Sequence, residues 1–404
     1  MRTTDALAST TVTYAIPLLV LVTTGSTALT GLAFLLEWSP RLAAFTFAGS
    51  LVDWWGAGRV FRMSNLVRAV SVAVTGAMLL ALPSTGSTTT GVVLAFGAAS
   101  GLLTEVSFVA METLGAEAGR RSGHAAHRVQ AVQTGIDQGA MLAGPLLGGL
   151  LLLVGPTVLM ATVAVLALTA AAITSVDAGV TGHRPAPSSL LTGWTTVRRT
   201  PALAWLVGGL AASNLATGVL QAAAPIMVIH RFRHSALAMS TVWSAAAVAS
   251  LIAVWASRRT IDRFGVWAVG AVTAAVSTMA CVATALAPDF TAYTVMVTVV
   301  MASEGAITVV LRTLRTRLIP VRAFGSTLAV TIILVVIPLP LAGGLIAAVP
   351  AADIPHLLLA CAALQGLALS ACFAGLRRHR TAYEPLQQPV LTHREKAPRA
   401  DASR

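Results

Sequence analysis

Gly49-Ser-Leu-Val-Asp53-Trp-Trp-Gly56-Ala-Gly-Arg59 lies between two long apolar runs, one ending near Leu51 and the next beginning near Val60. A short turn carrying an acid, glycines and a base is what two apolar helices need where they reverse at a water interface. Gly49 and Gly56 are expected to permit close helix approach and a tight reversal. Asp53 is expected to cap the helix that follows, and Arg59 to stay on the cytoplasmic side. Standing alone the pattern is only moderately specific, because acid-glycine-base turns occur in many cytoplasmic loops.

It does not stand alone. Asp262-Arg-Phe-Gly265 repeats its second half at a spacing of 262 − 53 = 209 residues. Pro17-Leu-Leu-Val20 returns as Pro225-Ile-Met-Val228, and Thr113-Leu114 as Thr313-Leu314. Pro145-Leu-Leu-Gly148-Gly149-Leu150 returns as Pro340-Leu-Ala-Gly343-Gly344-Leu345, preceded in the first copy by Gly144. Matches in the same order at nearly constant spacing make two homologous halves, residues 1–176 and 201–376. Residues 177–200, rich in Gly, Pro and Ser, link them, and Gly193 to Pro201 reads as a short interfacial helix. Residues 377–404 read as a disordered, basic cytoplasmic tail.

Composition sets the compartment. Of 404 residues 56% are hydrophobic and 10% charged, where a soluble chain carries about 25% charged residues. The net charge of +12 is almost wholly arginine, Lys396 being the only lysine. Those arginines sit between apolar runs, which fits the positive-inside rule and not nucleic acid. Cys281, Cys361 and Cys372 fall inside apolar runs and read as small packing residues. The start does not read as a cleaved signal peptide.

A window of about 20 residues gives twelve spans, near 3–24, 28–51, 60–82, 91–114, 129–153, 155–176, 202–229, 236–257, 266–287, 291–312, 324–348 and 355–375. The expected fold is therefore all-α and membrane-embedded, twelve helices in two six-helix halves. Alternate loops carry arginine (Arg59, Arg120, Arg198, Arg258, Arg315) or none, which puts both termini in the cytoplasm, in a cytoplasmic (inner) membrane. His230-Arg-Phe-Arg-His234 is the exception, basic on the outer side. Asp5 aligns with Asn214 but has only four residues before it. Either the first helix begins short or the start codon lies upstream.

The Gly49–Arg59 stretch resembles the signature loop of the major facilitator superfamily, which joins the second and third helices of those transporters. The resemblance covers roughly residues 1–376, and its closest look is to the drug-and-siderophore exporter branch that includes macrolide-efflux and enterobactin-exporter proteins. Gly144-Pro145 with Gly148 and Gly149 resembles the helix-five motif of proton-drug exchangers, with Ala131 and Ala140 replacing its upstream glycines. Basic residues usual after Gly56 are replaced by Ala57 and Gly58. Arg258 stands in place of the second loop's first glycine, and span four lacks the arginine-bearing motif of better-known exporters.

What the resemblance implies is a small-molecule transporter, not an enzyme, working as a monomer by alternating access. No phosphate-binding glycine loop supports ATP-driven pumping, no cofactor is implied, and three loop histidines do not make a metal site. Spans one, four, seven and ten of that family line a central cavity, which would place Glu105 and Glu304 there as proton-coupling carboxylates. Asp5, Asn214 and Gln221 would join them as polar substrate contacts, or serve as hydrogen-bonding glue between helices. Glu37 and Arg41, four apart on one helical face, are either a neutralised pair beside Pro40 or a proton-sensitive gate. Asp137, mid-span in helix five beside Gln138, is a further proton-coupling candidate, while Glu112 and Arg312 read as interfacial anchors. Pro340, Gly343 and Gly344 would kink span eleven as the first copy kinks span five. Export of a drug-like compound or siderophore by proton antiport is the leading expectation. A proton-coupled nutrient importer and a non-transporting sensor are the alternatives.

Overall fold

In a bilayer each backbone N–H and C=O must find its partner within its own segment, so an apolar chain of this length folds as helices. The computed structural model describes residues 1–82, 86–121, 126–174, 190–320 and 324–380, and contains no strand among them. The first half is α1 (Arg2–Thr24), α2 (Thr27–Trp55), α3 (Ala57–Ala81), α4 (Ser87–Arg121), α5 (Ala126–Val154) and α6 (Pro156–Ile173). A short α7 (Leu190–Arg199) precedes the second half. That half is α8 (Pro201–Ile226), α9 (Ala236–Phe264), α10 (Val266–Ala285), α11 (Phe290–Leu318), α12 (Phe324–Val336), α13 (Pro338–Ala348) and α14 (Ile354–Arg378). The eleventh expected span is thus two helices, broken at Ile337 just before Pro338 and Pro340.

Among the described residues, eleven segments are long and apolar enough to cross a membrane. The twelfth, α2, has the length at 29 residues but carries Glu37 and Arg41 in its middle. It packs against α4 and α13.

The signature turn is tighter than its sequence implies. Helix α2 runs through Asp53 to Trp55, α3 starts at Ala57, and Gly56 alone makes the reversal, with φ 83° and ψ 142°. Gly265 does the same between α9 and α10, with φ 83° and ψ 157°. Asp53 lies in the last turn of α2, and the N-cap position of α3 is Gly56. One expectation needs correcting here. Gly49 mediates no close approach; it is exposed, and a Cβ there would meet nothing within 4 Å. Arg59 lies exposed in the first turn of α3, and Asp262 exposed in the last turn of α9.

The halves share one packing plan. Helix α2 lies on α4 as α9 lies on α11, and α3 touches α4 and α6 as α10 touches α11 and α14. They meet chiefly through two crossings, α2 with α13 and α5 with α9, which the same symmetry exchanges. Both crossings lie toward the arginine-poor ends. Gly31 and Gly343 bring α2 and α13 together so closely that a Cβ on Gly31 would overlap the Ala347 backbone nitrogen. A Cβ on Gly149 of α5 would overlap the Ser240 hydroxyl of α9.

Buried apolar packing tells the same story. One core cluster joins Leu21 and Phe34 of the first half to Leu220, Met227, Ala342 and Ile346 of the second. The clusters nearer the arginine-rich end stay within single halves, around Phe61 and Met111 in one and Leu203 and Phe373 in the other. The molecule is closed at the arginine-poor end, and its apolar packing separates toward the other.

Three smaller differences concern the ends. His230 and Arg231 belong to a π-helical turn (Met227–Arg231) continuing α8, not to a loop. The interfacial helix starts earlier, at Leu190, and α14 runs through Arg378, two residues into the expected tail. Expectations placed on residues 175–189, on the tail beyond 380, and on the side chains of Asp53, Arg120, Gln138, Arg258 and Arg312 lie outside the described residues.

Candidate functional site

Among the described residues, four polar groups stand out inside the bundle, three in the first half and one in the second. The most central lies directly beneath the closed layer. Glu37 and Arg41, one turn apart on α2, form a 2.6 Å ion pair with both side chains buried. The same Arg41 guanidinium donates to Thr13 Oγ1 on α1 at 2.5 Å and sits 4.4 Å from the Trp38 ring. Gly101 of α4 packs onto the Glu37 carbonyl, leaving no room for a Cβ. One turn on, Glu105 is 8% exposed, in coulombic range of Arg41, with no hydrogen-bond partner among the described residues.

Thr13 is followed by Tyr14, which crosses to the other half. Its hydroxyl lies 3.0 Å from Ser240 Oγ on α9 and bonds the Ala236 carbonyl at 3.4 Å. Ser244, one turn further along α9, donates to the Leu142 carbonyl of α5. Gly148 packs against the Tyr14 ring, Gly144 against Thr10, and Gly149 against Ser240. The glycine-proline motif of span five therefore forms the surface on which α1 and α9 both rest. In span eleven, Gly343 and Gly344 offer the corresponding surface to Leu35 of α2.

The second group is built on Arg68, fully buried on α3. It pairs with Asp5 of α1 at 2.7 Å, and Ser107 of α4 donates to the same carboxylate at 2.8 Å. Asn65 Nδ2 donates to Ser107, and Asn65 Oδ1 accepts from Arg68. Asp5, expected as a polar substrate contact, is thus engaged by a guanidinium and a hydroxyl inside the half. Sequence reading missed Arg68, though an arginine eight residues into span three is itself the signal of a costly intramembrane charge.

The third group lies near the arginine-rich end. Arg2 of α1 donates from Nε and Nη2 to both oxygens of Asp137 on α5, at 2.9 and 2.5 Å. Its Nη2 also reaches Glu112 of α4 at 2.6 Å. Asp137 and Glu112, expected as a mid-span acid and an interfacial anchor, share one cation.

In the second half Glu304 of α11 accepts from Ser213 of α8 at 2.7 Å and Ser277 of α10 at 3.2 Å. Gln365, fully buried on α14, donates to both serines at 3.0 Å. Four helices are tied by one carboxylate, two hydroxyls and one amide, with no cation among them. Asn214, the partner of Asp5 by alignment, donates to the Val335 carbonyl at 2.7 Å, just before the break in span eleven. Gln221 is half-buried on α8.

No curated protein matches the sequence. Among solved structures the chain is similar to a bacterial homologue of the iron transporter ferroportin in an inward-facing state. The TM-score is 0.70 at 13% identity, over 93% of this chain and 96% of that one. It is also similar to a bacterial homologue of the human lysosomal transporter Spinster, inward-facing and occupied, with TM-score 0.69 at 13% identity over 95% and 98%. A bacterial metal transporter aligns with TM-score 0.67 at 14% identity, over 93% and 96%. At such identities these likenesses show the fold alone. The sequence profile of the Major Facilitator Superfamily matches residues 2–337. With two six-helix halves, a repeated glycine reversal and a profile match along most of its length, the chain belongs to the major facilitator superfamily.

Proposed function

We propose that this membrane transport protein exports a small organic molecule, a drug-like compound or secondary metabolite such as a siderophore, across the cytoplasmic membrane in exchange for protons. The arginine-rich end, with both termini, faces the cytoplasm, as the positive-inside rule requires. One chain holds both halves and the site between them, so a monomer suffices.

The observation that carries this reading is the link from Glu105 through Arg41 to the closed end. Arg41 divides its charge between Glu37, Thr13 and the field of Glu105. Thr13 adjoins Tyr14, which bonds across the halves to Ser240. Protonation of Glu105 or Glu37 removes a negative charge facing Arg41, frees the guanidinium to shift, and so loosens the contact that holds the halves closed. A charge change of one unit thereby biases the rocking of one half against the other. Glu304 is the corresponding proton site of the second half, Asp137 a secondary one, and Gln221 a polar contact for substrate.

Proton flux in vesicles holding the purified protein tests this, under an imposed pH gradient and with a panel of siderophores and antibiotics. Protons should move against substrate, and Glu105→Gln should remove the pH dependence while leaving the protein folded. Co-movement of protons and substrate would replace export by uptake. Flux indifferent to both Glu105→Gln and Glu304→Gln would end the coupling role.

A further inference from the structure

The outer surface of the second half carries a groove apart from the four polar groups described above. Helices α10 and α14 run antiparallel, and toward the arginine-rich end they leave a depression of about 520 Å³ lined by Trp267, Phe373, Arg377 and Arg378. A second depression, of about 360 Å³, continues from it and shares Ser370 and Phe373. Its wall on α10 extends to Met279. Small side chains make the floor, among them Ala271, Ala275 and Gly366. From Trp267 to Met279 the helix rises about 18 Å, and one leaflet of hydrocarbon is about 15 Å deep.

The groove is therefore charged at one end, apolar along the rest, and one leaflet long. Neither depression has a carboxylate in its lining. The Arg377 guanidinium is 5.7 Å from the Trp267 ring, and the Trp267 indole is itself fixed by donating to the Phe373 carbonyl. An arginine placed on an indole at the end of a span sits at headgroup level, where phosphate oxygens lie. The same rim carries Arg198 on Trp194, Arg259 on Trp255 and Arg263 on Phe264. A zwitterionic headgroup would bring a second cation to this rim; an anionic one would not.

We propose that the groove between α10 and α14 binds one anionic phospholipid of the arginine-rich leaflet, its phosphate on Arg377 and Arg378 and one acyl chain along Ala271, Ala275 and Gly366. This is independent of the direction of transport and of proton coupling.

Native mass spectrometry of the full chain tests it, in micelles containing phosphatidylglycerol and phosphatidylcholine of identical acyl chains. One phosphatidylglycerol should stay bound per protein. Replacing both arginines, R377Q with R378Q, should lower its retention about thirtyfold, to the level of phosphatidylcholine. Filling the exposed floor, A275L with S370L, should expel the lipid while both arginines remain. Equal retention of the two lipids by the unaltered protein would overturn the proposal. So would undiminished phosphatidylglycerol on the filled groove, or its displacement by soluble glycerol phosphate, because either would reduce the site to a surface anion contact.

Discussion

Arg68 and Ser277 occupy equivalent places, 209 residues apart on α3 and α10, and each faces a carboxylate within the bundle. The first half neutralises Asp5 with a guanidinium; the second surrounds Glu304 with hydroxyls that an amide orients. Removing one partner of a buried ion pair leaves an uncompensated charge, at a cost of about 3–5 kcal/mol, whereas removing both can be nearly neutral. Arg68→Met should accordingly lower the thermal midpoint in detergent sharply, and Asp5→Asn added to it should restore much of the loss. A double variant as unstable as the two single losses added together would show that the pair is not a unit. Little of this could be read from the sequence. Asp5 and Glu304 stood out as intramembrane acids, but Ser213, Ser277 and Gln365 are ordinary residues in apolar helices. Only packing reveals that they converge. Glu37 and Arg41 were legible because an i, i+4 pair needs one helix and no tertiary knowledge.

At the scale of elements the repeat in the sequence anticipated the architecture well, because hydrophobic spans and their charged ends are local signals. It misjudged the turns, where one residue's backbone decides. Gly25, Gly56 and Gly265 all have positive φ, and for Gly25 and Gly265 an added Cβ would meet nothing within 4 Å. Their backbones nevertheless differ. Gly25, at φ 62° and ψ 4°, is near the left-handed region that asparagine tolerates. Gly265, at ψ 157°, lies where glycine is almost the only occupant, and another residue there costs about 1–3 kcal/mol. With sterics equal, Gly265→Asn should depress the melting temperature clearly more than Gly25→Asn. Equal effects would mean that the α9–α10 reversal relaxes, and that its glycine answers to something other than backbone strain.

The two crossings between the halves, α2 with α13 and α5 with α9, lie at one end and are exchanged by the internal symmetry, so rigid-body rocking must open or close both together. That linkage can be tested by wedging one crossing and reading the other. Gly31 has backbone atoms of α13 within 3 Å of where a Cβ would stand, so Gly31→Leu cannot be accommodated with the end closed. Ser240, buried at the α5–α9 crossing, makes a reporter when changed to cysteine. The native cysteines are all buried and should stay silent toward a membrane-impermeant thiol reagent. Ser240→Cys alone should react slowly from the arginine-poor side, and the Gly31→Leu background should accelerate that reaction while slowing transport. The wedge acts only by disfavouring the closed state, so its effect at Ser240 measures a shift in population between two states of the whole bundle. If α2 parts from α13 while Ser240→Cys stays protected, the halves do not move as rigid units. The path from Arg41 through Tyr14 would then govern the α5–α9 crossing alone.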